Sequence, residues 1–181
     1  MNEVEQQVWE WCSIARYAAD TALINKYKLT ALDRAVRGAS DIATAQNLTV
    51  FNSTQSILQH CRRWSDKAIK EYYRAYEVLT HERGGKPPTH RQTTQFRENG
   101  KRPWIVEHPY PIKIIKDNII AGYSTQQIYD WIWEYGTSVI LLREEDPKMT
   151  TCKTVEEAHS RYDHIKILDH PHFSEHKEAG Q

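Results

Sequence analysis

Trp104-Ile105-Val106-Glu107-His108-Pro109-Tyr110-Pro111 is the stretch at which the chain changes character. Its first three residues are apolar and two of them are β-branched, which predicts a short strand. The two prolines then stop that strand. The residues before this stretch follow helical periodicity instead. The chain is therefore expected to be α+β, with a helical N-terminal unit followed by a small mixed domain of two or three short strands.

Three helices are predicted upstream of this stretch. Apolar side chains recur at helical spacing over residues 3–25 and again from Thr30 to about Gln46. A third, longer helix is expected to begin near Asn52 or Ser53, both good N-caps, and to continue to about Leu79. The first eighty residues are thus expected to form a helical hairpin or a three-helix unit.

Glycines and prolines at 84–88 cannot continue a helix and end that unit. This predicts a helical region over residues 1–83, a basic connector over 84–100 and an α+β region with a polar tail over 101–181. Within the last region the predicted elements are helices at 111–120 and 124–135, a strand at 137–142, a short helix capped by Thr154, a strand at 165–168 and a frayed tail from His170.

Composition limits the class of protein. Of 181 residues 39% are hydrophobic, and six Trp with ten Tyr argue against disorder. No stretch approaches the ~18–20 apolar residues of a membrane span, and the acidic N-terminus does not resemble a secretory signal. The cysteines (Cys12, Cys61 and Cys152) have no CxxC spacing, which predicts reduced thiols, a cytoplasmic location and no zinc site made of cysteine alone.

Charge is distributed unevenly along a chain whose formal net charge is zero. Between Arg83 and Lys116 there are eight basic residues against two acidic ones. Such a stretch is typical of a phosphate-binding face, although a solvated connector has the same composition. The residues expected to bind nucleic acid, with DNA favoured, are His90, Arg91, Arg97, Lys101 and Arg102.

Glu107 and His108 are the candidate catalytic pair. Metal-dependent cleavage of a phosphodiester needs a hard oxygen ligand to hold Mg²⁺ or Mn²⁺, and a neutral imidazole to take a proton from the attacking water. Adjacent strand residues point to opposite faces, so the two side chains can share this work only where the strand end twists.

The segment Ile105-Val-Glu-His-Pro-Tyr-Pro111 resembles the first motif of the HNH (ββα-metal) nucleases. Val139-Ile-Leu-Leu-Arg-Glu-Glu-Asp146 is similar to their second strand, and the likeness to HNH-like proteins of phage and restriction systems covers about residues 100–168. The resemblance implies an HNH-like core within 101–181 and a DNA-cutting endonuclease in which His108 is the general base. It further implies that the divalent metal is held by Glu107, Asp146 or Glu145, and His159.

The chain also departs from that family pattern. The family places Asn or His after the second strand, where this chain has Pro147, Lys148, Met149 and Thr150. The alternative function is therefore a non-catalytic nucleic-acid-binding or protein-inhibitor factor of phage or defence origin. In that case the helical N-terminal region is the expected place for a protein partner or a second copy of the chain.

The remaining histidines allow two further interpretations. His90 and His159 each stand near Thr or Ser, which is a weak indication of a two-histidine phosphoesterase. The series His170, His172 and His176 has donors for a transition metal, although adventitious binding fits a frayed tail better.

Overall fold

The computed structural model describes residues 1–21, 25–47, 54–145, 154–160 and 162–174. Over these ranges the chain folds as α+β, as expected, with nine α-helices and one four-stranded sheet. The helices are α1 (Glu3–Asp20), α2 (Asn25–Ala45), α3 (Thr54–His60), α4 (Asp66–Glu82), α5 (His90–Thr94), α6 (Ile112–Ile120), α7 (Thr125–Glu134), α8 (Val155–Ser160) and α9 (Pro171–Ser174). The strands are β1 (Arg63–Ser65), β2 (Trp104–Glu107), β3 (Val139–Leu142) and β4 (Ile167–Asp169), and a 3₁₀ turn follows β3 at Arg143–Glu145.

Four helices form one layer, and their sequences explain where they begin. The Asn2 side chain accepts from the backbone of Glu5 and the Glu5 side chain bonds back, a capping box that starts α1. Ser124 and Gln127 form the same arrangement at α7. The apolar faces of α1, α2, α6 and α7 bury one core, whose largest members include Leu32, Ile115, Ile119, Ile128 and Ile132. The predictions of these four helices are confirmed.

The sheet has the strand order β2-β3-β1-β4. β2 and β3 are antiparallel, with Trp104 opposite Leu142 and Glu107 opposite Val139. β1 lies parallel to β3 and antiparallel to β4. Side chains alternate between the faces of a strand, so the sheet separates two smaller cores. On the first face Trp64, Trp104 and Ile140 pack with α3 and α4, and on the second face Val139, Leu141 and Ile165 pack together.

The prediction of one long helix up to Leu79 was wrong. The chain instead forms α3, then β1, then α4, and the strand places Trp64 in the middle of the first-face core with no exposed surface. Cys61, Trp64 and Ala68 fit helical spacing, but pairing with both β3 and β4 outweighs that local preference. Ser65 restarts the helix, because its Oγ accepts from the Ala68 amide at 3.0 Å. The predicted start at Asn52 or Ser53 lies outside the described residues.

The prediction of a frayed tail from His170 was also wrong at its first residues. His170 is only 1% exposed. Its ring lies 4.7 Å from the ring of Trp64 and 4.4 Å from that of Tyr72, and α9 follows directly. An aromatic cluster on the first face of the sheet therefore holds this segment, which its polar composition did not indicate.

Packing crosses the predicted boundary at residue 83, since α2 contacts α6 and α7 while β1 lies between β3 and β4. The division into a helical region, a connector and an α+β region stays a prediction about folding units. Cys12 and Cys61 are buried free thiols, and burial raises the pKa of each to about 12. No helix in the described ranges combines the length and the apolarity that crossing a bilayer requires.

Candidate functional site

Glu107 and His108 diverge at the end of β2. The Tyr162 hydroxyl donates to Glu107 Oε1 at 3.4 Å, on the second face of the sheet. The His108 ring points the other way, and its Nε2 lies 3.1 Å from Ser40 Oγ on α2. Successive residues of a strand project to opposite faces, and the prolines that come next do not twist these two together. The structure therefore does not bring the predicted metal ligand and the predicted base to one site.

Hydrogen bonding also assigns a proton to His108. The Ser40 hydroxyl donates to the carbonyl oxygen of Gly136, so its oxygen can only accept from the imidazole. Nε2 therefore carries the proton in this arrangement. Burial first, and then the charge of Arg37, lower the pKa of His108 to about 4, while Asp33 acts in the opposite direction. His108 is thus a neutral hydrogen-bond donor that ties β2 to α2.

Glu145 lies at the other end of the β2–β3 pair. In the antiparallel register Glu107 is opposite Val139, whereas the turn with Glu145 follows Leu142. Three residues of strand separate these ends by about 10 Å, whereas two ligands of one divalent ion are within about 5 Å of each other. The Glu145 carboxylate accepts instead from the Leu142 amide at 2.9 Å and from the Ser65 hydroxyl. It joins the 3₁₀ turn to the start of α4.

Of the other predicted ligands, His159 lies on α8, where its Nδ1 is 2.7 Å from the Tyr110 hydroxyl and its Nε2 is 3.8 Å from Asp163 Oδ1. Asp146 lies outside the described residues. Among the described residues no group of three His, Cys, Asp or Glu side chains could hold a metal ion. Of the described donors, Glu107 and Glu145 are therefore too far apart to share one ion.

The predicted nucleic-acid-binding residues are in part brought together at the edge strand. Arg97, Lys101 and Arg102 line a cavity of about 610 Å³ beside β2, together with Arg143 from the turn after β3. We call these four residues the basic edge. None of the described residues that line this cavity is acidic. Because β2 is one of the two edge strands, the cavity opens along one side of the sheet.

A tight turn presents the basic edge. Glu98 and Lys101 exchange two backbone hydrogen bonds of 2.9 Å, and the residues between them, Asn99 and Gly100, have φ values of 51° and 74°. Positive φ at both central positions is the type I′ geometry that Asn-Gly adopts readily. The turn lies just before β2, and Arg97 and Lys101 on its two sides both line the cavity.

Positive charge is concentrated at the basic edge, and the nearby Glu98 is paired elsewhere. Burial first, and then the guanidinium groups of Arg97 and Arg143, lower the pKa of Arg102. Arg102 donates to Gln55 Oε1 at 2.9 Å rather than to a carboxylate. Glu98 points away to Arg74 at 3.2 Å. Guanidinium groups that repel one another are stabilised when a phosphate oxygen binds between them.

The other two predicted binding residues lie outside this cavity. His90 packs inward on the first face of the sheet, where its Nδ1 is 2.9 Å from the Tyr72 hydroxyl and its ring stacks on His172 at 4.1 Å. Arg91 is exposed on α5 and does not line the cavity. His90 and His159 lie on opposite faces of the sheet, so they do not form a two-histidine phosphoesterase site.

Sequence reasoning missed Arg143. A signal was present, because Arg102 precedes one predicted strand and Arg143 follows the next. Pairing those strands antiparallel brings the two arginines to one end, where Arg143 Nε donates to the Arg102 carbonyl oxygen at 3.2 Å. The Asn99-Gly100 pair was a second signal, since it predicts a two-residue turn just before that strand.

Comparison of the chain with protein-family models, with curated proteins and with solved structures found no match.

Proposed function

We propose that this protein binds the phosphate backbone of a nucleic acid through the basic edge. The observation that carries the proposal is the cavity beside β2, which four basic side chains and no described acid line. Lys and Arg side chains that contact a nucleic acid neutralise its phosphates. This releases the counterions of the phosphates, which makes binding strong at low salt. The proposal corresponds to the non-catalytic binding factor that the sequence left open, with DNA as the favoured polymer.

The test is a salt titration of binding. Fluorescein-labelled duplex DNA, single-stranded DNA and RNA are titrated with protein between about 50 and 200 mM salt, and anisotropy gives Kd. The variant Arg97→Gln/Lys101→Gln removes two charges and leaves Arg102, which has a structural bond to Gln55, in place. On duplex DNA we expect weaker binding and a slope of log K against log salt that is smaller by about 2.

A matched control removes two charges elsewhere. Lys26 and Arg34 are exposed on α2, so Lys26→Gln/Arg34→Gln changes the net charge equally without touching the cavity. We expect its salt slope to equal that of the unmodified protein. If both double variants weaken binding equally, only the net charge attracts the polymer and the proposed interface is wrong.

Metal-dependent hydrolysis through Glu107, His108 and Asp146 stays a prediction. Supercoiled plasmid incubated with Mg²⁺, Mn²⁺ or EDTA distinguishes it from binding alone. Binding through the basic edge should persist in EDTA, because the interaction is between cations of the protein and phosphate. Nicking that requires metal and disappears in His108→Ala would favour the enzyme instead.

A further inference from the structure

A second cavity, separate from the one at the basic edge, lies on the second face of the sheet. It has a volume of about 260 Å³ and lies around the end of β2, where Glu107 pairs with Val139. Its floor is apolar and consists of Val139, Ile165 and Ile167. Among the described residues on its rim, Arg63, His159 and Asp163 can bear charge.

Arg63 supplies a positive charge to this cavity. It is the first residue of β1, and its Nη1 donates to Thr137 Oγ1 at 3.1 Å, which fixes the direction of the guanidinium. Among the described residues no carboxylate lies within 4.0 Å of it. A guanidinium held by one neutral hydroxyl keeps further N–H donors for an incoming carboxylate.

Asp163 supplies the opposite charge at the same rim. Its Oδ1 lies 3.8 Å from His159 Nε2, and the other imidazole nitrogen, Nδ1, is 2.7 Å from the Tyr110 hydroxyl. Asp163 and Arg63 line one cavity but do not form an ion pair with each other. The cavity therefore has a cation, Arg63, and an anion, Asp163, that are not paired with each other, and both lie above an apolar floor.

We propose that this cavity binds a free α-amino acid with an aliphatic side chain. Arg63 receives the α-carboxylate, Asp163 receives the α-ammonium and the side chain covers Val139, Ile165 and Ile167. A ligand that carries both charges satisfies the two rim groups at once, whereas a simple anion or cation satisfies one and meets repulsion from the other. The volume is below the range of about 300–1,000 Å³ for drug-sized ligands, which suits a small molecule.

The experiment measures binding of L-leucine and three analogues by titration calorimetry, with two-dimensional NMR for weak ligands. Leucine methyl ester lacks the carboxylate, N-acetyl-leucine lacks the ammonium, and glycine lacks the side chain. Each omitted charge leaves one rim group without its partner, and glycine leaves the apolar floor uncovered. We therefore expect the Kd of each analogue to be at least about tenfold higher than that of leucine.

Variants assign each charge to its residue. Arg63→Gln should bind leucine and its methyl ester equally weakly, because the group that distinguishes them is gone. Asp163→Asn should likewise lose the discrimination between leucine and N-acetyl-leucine. Arg62→Gln, at the neighbouring exposed position over the Phe173 ring, is the matched control and should bind leucine normally.

Several outcomes would overturn the proposal. One is the absence of leucine binding at about 20 mM ligand. This concentration would half-saturate a site with a Kd of about 20 mM. Another is an ester or an N-acetyl compound that binds as well as leucine, which would leave only a site for a single charge. Arg63 and Asp163 are exposed, and we therefore expect both variants to fold. Circular dichroism checks this. None of these results depends on nucleic-acid binding by the basic edge.

Discussion

His108 Nε2 lies 3.1 Å from Ser40 Oγ, and this contact joins the end of β2 to α2. The Ser40 hydroxyl continues the connection to the Gly136 carbonyl oxygen, just before β3. A helix and the ends of two strand segments therefore meet at one short chain of hydrogen bonds. The residue that sequence reasoning favoured as the general base holds the helical layer against the sheet.

We expect Ser40→Ala to destabilise the protein by about 1–3 kcal/mol, because the His108 donor and the Gly136 acceptor both lose their partner in a buried region. Urea unfolding followed by circular dichroism measures the change. Ser13→Ala on α1 is the control, since among the described residues that hydroxyl bonds only to the carbonyl of Trp9 within its own helix. A change at Ser13 as large as that at Ser40 would contradict this role of Ser40.

The histidines predict that stability falls in acid. Burial, followed by the charge of neighbouring histidines, lowers the pKa of His90 to about 4 and that of His170 to about 3 from an ordinary value of 6.5. Below pH 6.5 the unfolded chain therefore binds protons that the folded chain excludes. The free energy of unfolding therefore keeps its full value above pH 6.5 as far as these histidines are concerned. It decreases towards pH 4 by about 1.4 kcal/mol per pH unit for each such histidine.

His170→Asn tests this dependence. The His170 Nδ1 accepts from the His172 amide at 3.2 Å, and the Asn oxygen can accept the same bond without titrating. We expect the slope of unfolding free energy between pH 6.5 and 4 to decrease by about 1.4 kcal/mol per unit. His81→Asn, at an exposed position on α4, should keep the original slope. An unchanged slope in His170→Asn would show that this residue does not contribute.

Glu145 and Glu144 provide a matched pair for separating structure from metal binding. Glu145 accepts from Leu142 and Ser65, while Glu144 is exposed beside it. We expect Glu145→Ala to lower stability by about 1–3 kcal/mol in Mg²⁺ and in EDTA alike, and Glu144→Ala to change it by less than about 0.5 kcal/mol. Thermal unfolding in both buffers measures these changes. A loss seen only with Mg²⁺ would favour the ligand role.

Trp64 connects β1 to the rest of the first-face core. It has no exposed surface, its Nε1 donates to the Cys61 carbonyl oxygen at 2.7 Å, and its ring contacts Tyr72, Trp104 and His170. We expect Trp64→Ala to cost about 3–5 kcal/mol and Trp64→Phe clearly less, since the smaller ring still fills part of the volume. Chemical denaturation checks the order. Equal losses would place the stabilisation in the Nε1 hydrogen bond instead.

Local signals in the sequence were sufficient for much of the fold. Apolar spacing identified α1 and α2, Ser124 and Gly136 delimited α7, and the β-branched run of Val139 to Leu142 identified β3. These elements could be predicted because their own residues carry the caps and the periodicity. The basic edge could be predicted in part, since Arg97, Lys101 and Arg102 are close in sequence as well as in space.

The elements that were missed depend on distant residues. Nothing within residues 62–65 distinguishes a strand from one more helical turn, and the choice comes from pairing with β3 and β4, more than seventy positions away. The buried position of His170 depends in the same way on Trp64 and Tyr72. Local propensity is worth tenths of a kcal/mol per residue, and burial of one large side chain exceeds it.

The sequence by itself determined that the protein is α+β, that an apolar strand ends at Glu107-His108, and that positive charge collects just before that strand. Only the tertiary structure decided what those residues contact. The strand alternation sends Glu107 and His108 to opposite faces, and the antiparallel register puts Glu145 at the far end of the pair while it adds Arg143 to the basic edge. Such relations are three-dimensional because they depend on which strands pair and in which direction, and a linear pattern does not specify either.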